Sequence, residues 1–131
     1  MLKMKQPVTL IFLPLMTMMF LMIFTAQGIA GPPRLPAPAV LRPTNGAIFN
    51  HFPRKTVMNW TAVPGAVAYR ILVEYKGGAW IQLVKHEVGA TVTSYEFQFI
   101  GAQPGRCKVW AVDARNHNGI ASPWHNFRYT R

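Results

Sequence analysis

The sequence predicts an all-β domain, seven short strands forming a two-sheet antiparallel sandwich. Trp60 closes one strand, a Pro64-Gly65 turn follows, and Tyr69, Ile71, Val73 and Tyr75 then alternate on one face of the next. Turn residues recur at short intervals along residues 39–131. Within that span no apolar pattern keeps a helical period for more than two turns. Short strands with this punctuation argue two packed antiparallel sheets.

The elements follow in order. Lys3 and Lys5 precede an almost unbroken apolar run from Val8 to Ala26, and Ala26-Gln27-Gly28 and Gly28-Ile29-Ala30 both offer small-x-small cleavage sites. Residues 1–30 therefore read as an apolar N-terminal signal helix directing export to the periplasm or the medium. No cysteine stands directly after the run, which excludes a lipoprotein anchor. The run approaches the ~20 residues that span a bilayer, so an uncleaved inner-membrane anchor over residues 8–26 is the alternative. Pro14 favours the signal, because proline weakens a helix interior. Residues 31–38 are proline-rich and read as an extended spacer. Residues 39–131 suit one domain.

The first strand is read at Ala39–Leu41, before the Pro43-Thr44-Asn45-Gly46 turn. Ile48, Phe49 and Phe52 are placed in a loop that plugs the bottom of the core. Thr56–Thr61 is the second strand, with Met58 and Trp60 on one face, and Tyr69–Tyr75 the third. Gly77-Gly78 turns the chain into a fourth strand, Trp80–Val84. Thr93–Phe99 is the fifth, with Tyr95, Phe97 and Phe99 alternating. Pro104-Gly105 is read as a break. In the sixth strand, Cys107–Val112, Cys107, Val109 and Ala111 face one way and Lys108 and Trp110 the other. Trp124–Tyr129 is the last.

These landmarks form an ordered set: Pro43-x-x-Gly46, Trp60, Val63-Pro64-Gly65-Ala66 with Tyr69, Ser94-x-x-Phe97, Pro104-Gly105, Val109-Trp110-Ala111-Val112-Asp113, Gly119 and Ser122-Pro123-Trp124. The set resembles a fibronectin type III domain of the bacterial exported kind, across nearly all of residues 39–131. The resemblance implies an immunoglobulin-like β-sandwich and a binding module without a catalytic motif. One feature departs from it. The family usually has a tyrosine near the start of the sixth strand that ties down a neighbouring loop. Gly101–Val112 contains none, and Cys107 is the nearest buried candidate, so the loop before Pro104 is expected to be looser.

Chemistry-bearing residues are sparse. The acids are Glu74, Glu87, Glu96 and Asp113; Glu74 and Glu96 alternate with core positions and point outward, so no acid–base pair is indicated. His51, His86, His117 and His125 lack ligand spacing, and Cys107 has no partner cysteine, so no metal site, disulfide or cofactor is expected. No serine is paired with a histidine and an orienting acid. The Asn59-Trp60-Thr61 sequon falls inside a core strand, which sets it aside as a glycosylation site.

The remaining lead is charge. The chain carries 14 basic against 4 acidic residues, and without Lys3 and Lys5 the net charge is +8. Such a surface attracts anionic partners. Trp110 should point outward with Lys108, and Arg70 and Arg128 should share that face. A tryptophan among cations can stack on sugar rings or clamp an anionic group. Trp110, Arg70, Lys108 and Arg128 are therefore the candidate ligand residues. An anionic polysaccharide or a protein at the cell envelope is the expected partner, in preference to nucleic acid. A membrane enters only if the N-terminal run is uncleaved, in which case the domain would serve protein–protein interaction. A monomer is expected.

Overall fold

The computed structural model describes Lys3 and residues 33–131. The readings of signal, cleavage site and anchor fall outside these residues. Among the described residues no helix is long and apolar enough to cross a membrane.

Residues 34–131 form a sandwich of two sheets. One is three-stranded, in the order β1 (Val40–Arg42), β3 (Lys55–Trp60), β6 (Ser94–Gln98). The other is five-stranded, in the order β2 (Ala47–Phe49), β8 (His125–Tyr129), β7 (Pro104–Val112), β4 (Ala68–Gly77), β5 (Ala79–Gly89). Period-two alternation sets the inner faces. Thr56, Met58 and Trp60 of β3 meet Tyr69, Ile71 and Val73 of β4, Cys107, Val109 and Ala111 of β7, and Phe127 and Tyr129 of β8. The Trp60 and Tyr69 rings lie 5.7 Å apart. A buried hydrogen bond of 2.7 Å between the Thr56 and Tyr129 hydroxyls joins the two sheets.

Eight strands stand where seven were expected. Pro43 cannot donate to a ladder, and the turn through Gly46 (φ 87°) carries the chain across to β8. Ala47–Phe49, read as loop, pairs there in parallel, with Phe49 opposite Tyr129. Phe49 does plug the core, 5.1 Å from the Tyr129 ring. Ile48 and Phe52 do not, being 71% and 66% exposed.

Two further boundaries move by three residues or more. β5 runs on to Gly89 because pairing with β4 holds it, Arg70 opposite Glu87 and Leu72 opposite Lys85. β7 begins at Pro104, since proline is tolerated at the first position of a strand. The loop before it is closed rather than loose: Gly101 takes φ 74° and the Gln103 side-chain amide donates to the Ile100 carbonyl. Cys107 is fully buried, and desolvation pushes its thiol up to about 12, so it packs as a small hydrophobe.

The stretch read as spacer is carried on the domain from Arg34 onward. Pro38 is fully buried and Leu35 packs against the core. The Leu35 carbonyl accepts from Ile120 N–H, and Arg34 donates to the Gly119 carbonyl. An alanine at 119 would place Cβ 2.6 Å from the Leu35 carbonyl oxygen, so this docking needs glycine there.

Candidate functional site

The outer face of the five-stranded sheet is built by register. Arg70 lies opposite Trp110, Leu72 opposite Lys108 and Glu74 opposite Arg106 across β4 and β7. On the other side of β4, Glu87, Lys85, Gln82 and Trp80 of β5 stand opposite Arg70, Leu72, Glu74 and Lys76. A bulge between Val73 and Glu74 shifts the register once, keeping Gln82 and Trp80 on this face.

Cations and indoles alternate across the face. The Arg106 guanidinium lies 4.2 Å from the Trp80 ring centre and 3.9 Å from that of Trp124. The Lys108 amine follows, 4.3 Å from Trp124 and 4.7 Å from Trp110. Lys76 stands 5.4 Å from Trp80. Arg106 also pairs with Glu74 at 2.7 Å, the side chains 23% and 16% exposed. That pair is shielded from water and is worth more than a surface pair. Replacing Trp124 by alanine should cost about 1–3 kcal/mol, because two cation–π contacts and a half-buried ring are lost together. A thermal melt shifted by less than the equivalent of ~0.5 kcal/mol would show that the stack is not coupled to folding.

Arg70 is held from three sides. Its Nε donates to Glu87 at 2.9 Å and its two terminal nitrogens donate to the side-chain oxygens of Asn118 and Asn116. The loop supplying these asparagines is itself pinned. Asn116 takes φ 67°, a left-handed conformation that asparagine tolerates. The Asp113 carboxylate accepts from the backbone N–H groups of His117 and Arg115. The His117 bond is the main reason its pKa is held below the usual carboxylate range.

The four residues singled out from sequence separate into a cluster and an outlier. Trp110, Arg70 and Lys108 come together. Arg128 shares the face but pairs with Pro104, six residues along β7 from Trp110 and so ~20 Å away. Arg128 is removed from the site. The sequence reading missed Arg106, Trp80 and Trp124. Arg106 lies two residues before Lys108, but taking Pro104-Gly105 as a break left it outside the strand.

Beside Trp110 lies a cavity of about 230 Å³, lined by Arg70, Leu72, Gln82, Lys85, Trp110 and Asn118. A larger one of about 300 Å³ opens between β2 and β3 over Ala47, Phe49 and Val57. The smaller is the better candidate, because polar side chains converge there around an indole. Among the described residues no three of His, Cys, Asp and Glu gather into a metal-binding group.

No protein-family model matches the chain. No curated protein matches it either. Solved structures do. The fibronectin(III)-like modules of Clostridium thermocellum CbhA match at 14% identity and TM-score 0.51, over 70% of this chain and 93% of theirs. The fn3 domain of the human collagen alpha-1(XX) chain matches at 18% identity and TM-score 0.52, over 81% of this chain and 93% of its own. A β-1,2-glucanase from Parabacteroides distasonis matches at 19% identity and TM-score 0.52, over 79% of this chain but only 14% of that enzyme. Two short sheets with a shared aromatic core, the chain order of the strands and these likenesses agree: the domain has the fibronectin type III fold.

Proposed function

We propose that this chain is an exported, non-catalytic binding or adhesion module that holds an anionic polysaccharide at the cell envelope through the outer face of its five-stranded sheet. One observation carries the reading. Lys76, Lys85, Arg70, Arg106 and Lys108 share that face with Trp80, Trp110 and Trp124, and its two carboxylates, Glu74 and Glu87, are both consumed by Arg106 and Arg70. The face therefore presents uncompensated positive charge beside indole rings, which suits a polymer bearing both acidic groups and sugar faces.

Retention on an immobilised acidic polysaccharide should be strong at ~0.01 M ionic strength and largely lost at ~1 M, where screening reaches only ~3 Å. Joint replacement of Lys76, Lys85 and Lys108 by alanine should remove most of the salt-sensitive part. Unchanged retention of that variant would make the charge a solubility feature and end the proposal.

Export rests on residues 1–30. Intact mass of the recovered protein should give a chain beginning between Gln27 and Pro32. A full-length chain held in the membrane fraction would favour the anchored reading, with the domain displayed for protein partners.

A further inference from the structure

We infer that the cavity beside Trp110 is a subsite for a single acidic sugar ring carrying one negative charge, a carboxylate or a sulfate ester. This rests on the proposed function and narrows it from a charged face to one pocket. The ring systems of the face are not equally free. Trp124 has two cations, Arg106 and Lys108, within 4.3 Å of its centre, so its π-system is already engaged within the protein. Trp110 meets one cation, Lys108, and also lines the cavity. It is the indole with a surface left to give.

The polar wall follows from hydrogen-bond chemistry. Arginine only donates, so Asn118 and Asn116 must turn their oxygens toward Arg70. Their NH₂ groups then face away from the guanidinium, and Asn118 lines the cavity. Asn118 thus keeps an NH₂ that Arg70 does not use, in a wall it shares with Gln82, which can donate or accept. Lys85 adds a cation, exposed and without an ion-pair partner among the described residues. Arg70 contributes its charge too, but Glu87 neutralises it. Among the lining residues Lys85 is the one uncompensated cation, which matches a singly charged ligand rather than a dianionic phosphate. Donors around an indole match a ring with hydroxyl and acidic oxygens and an apolar C–H face.

The size agrees. About 230 Å³ is below the ~300–1,000 Å³ of drug-sized sites and leaves room for one ring. The site is also preorganised, because Arg70 is fixed by partners from β5 and from the loop after β7, which limits the ordering cost of binding.

The test is a tryptophan-fluorescence titration of the chain as recovered from the expressing cell. The probes are tetragalacturonate, a sulfated galactose tetramer and neutral maltotetraose. At least one acidic tetramer should saturate the signal and maltotetraose should not; which acidic probe binds decides between carboxylate and sulfate ester. Lys85→Ala should weaken that probe about tenfold, and Trp110→Leu should abolish the fluorescence change while leaving the melting temperature near that of the parent. Arg128→Ala, on the distant end of the face, should bind as the parent does. If the acidic tetramers bind parent, Lys85→Ala and Arg128→Ala with the same affinity, the pocket is not the subsite and only the charged-face reading survives. Equal binding of maltotetraose would overturn the acidic-sugar assignment. If immobilised acidic polysaccharide also fails to retain the parent, both readings fall.

Discussion

Trp60→Ala is expected to destabilise the domain by about 3–5 kcal/mol, a large part of the ~5–15 kcal/mol that holds a small domain together. Trp60 is 2% exposed at the end of β3, its ring packed 5.7 Å from that of Tyr69 across the sandwich. Deleting it removes the largest ring that the three-stranded sheet sends into the core and leaves a cavity that both sheets resist closing. The indole also carries a weakness. Its Nε1 is buried with no hydrogen-bond partner. An unpaired buried donor costs about 1–3 kcal/mol, so Trp60→Phe, which removes that N–H with less loss of volume, should cost well under half of what the alanine does. Urea unfolding of both variants checks this. A loss below ~1 kcal/mol for alanine would mean that Trp60 is not packed as described.

Gly105→Ala should be nearly as damaging, for the opposite reason. Gly105 is buried on β7, and a Cβ there would stand 2.5 Å from Phe127 Cζ and 2.7 Å from Phe99 Cε2. Both rings are themselves locked, 5.0 Å apart edge to face, with Phe99 stacked on Tyr129 at 5.4 Å. Neither can retreat without disturbing the aromatic cluster that closes this end of the core. Overpacking of this kind costs about 1–3 kcal/mol, and this site belongs at the upper end. Gly89→Ala, where nothing lies within 4 Å of the added atom, is the control and should change stability by ~0.5 kcal/mol or less. Equal melting curves for the two variants would contradict the packing of β7 on Phe127.

The same glycine explains why part of the site was hidden in the sequence. Pro104-Gly105 has the composition of a turn, so the sequence puts the start of the strand at Cys107 and leaves Arg106 off the outer face. Composition cannot show that two phenyl rings occupy the space of a missing Cβ. Core strands were legible because alternation survives wherever one face is buried, as at Met58 and Trp60 or at Val109 and Ala111. The far half of β5 was not, because Lys85, His86 and Glu87 lie on an edge strand held by pairing more than by burial. Ala47–Phe49 was too short for any period to register. Arg128 had the correct face but the wrong row: period two reports direction, and only the β7–β8 register reports how far along the strand a residue sits. The Trp–cation stack joins β5, β7 and the segment before β8, and no local pattern announces a contact between stretches so far apart in the chain.

The measurement that bears most directly on the binding face is a backbone amide chemical-shift map of the protein titrated with an acidic polysaccharide fragment at low salt. The outer-face reading predicts shifts confined to β4, β5, β7 and the loop through Asn116 and Asn118, strongest around Lys85, Lys108 and Trp110 and absent from β3 and β6. Shifts centred instead on the three-stranded sheet, or on the cavity between β2 and β3, would contradict it.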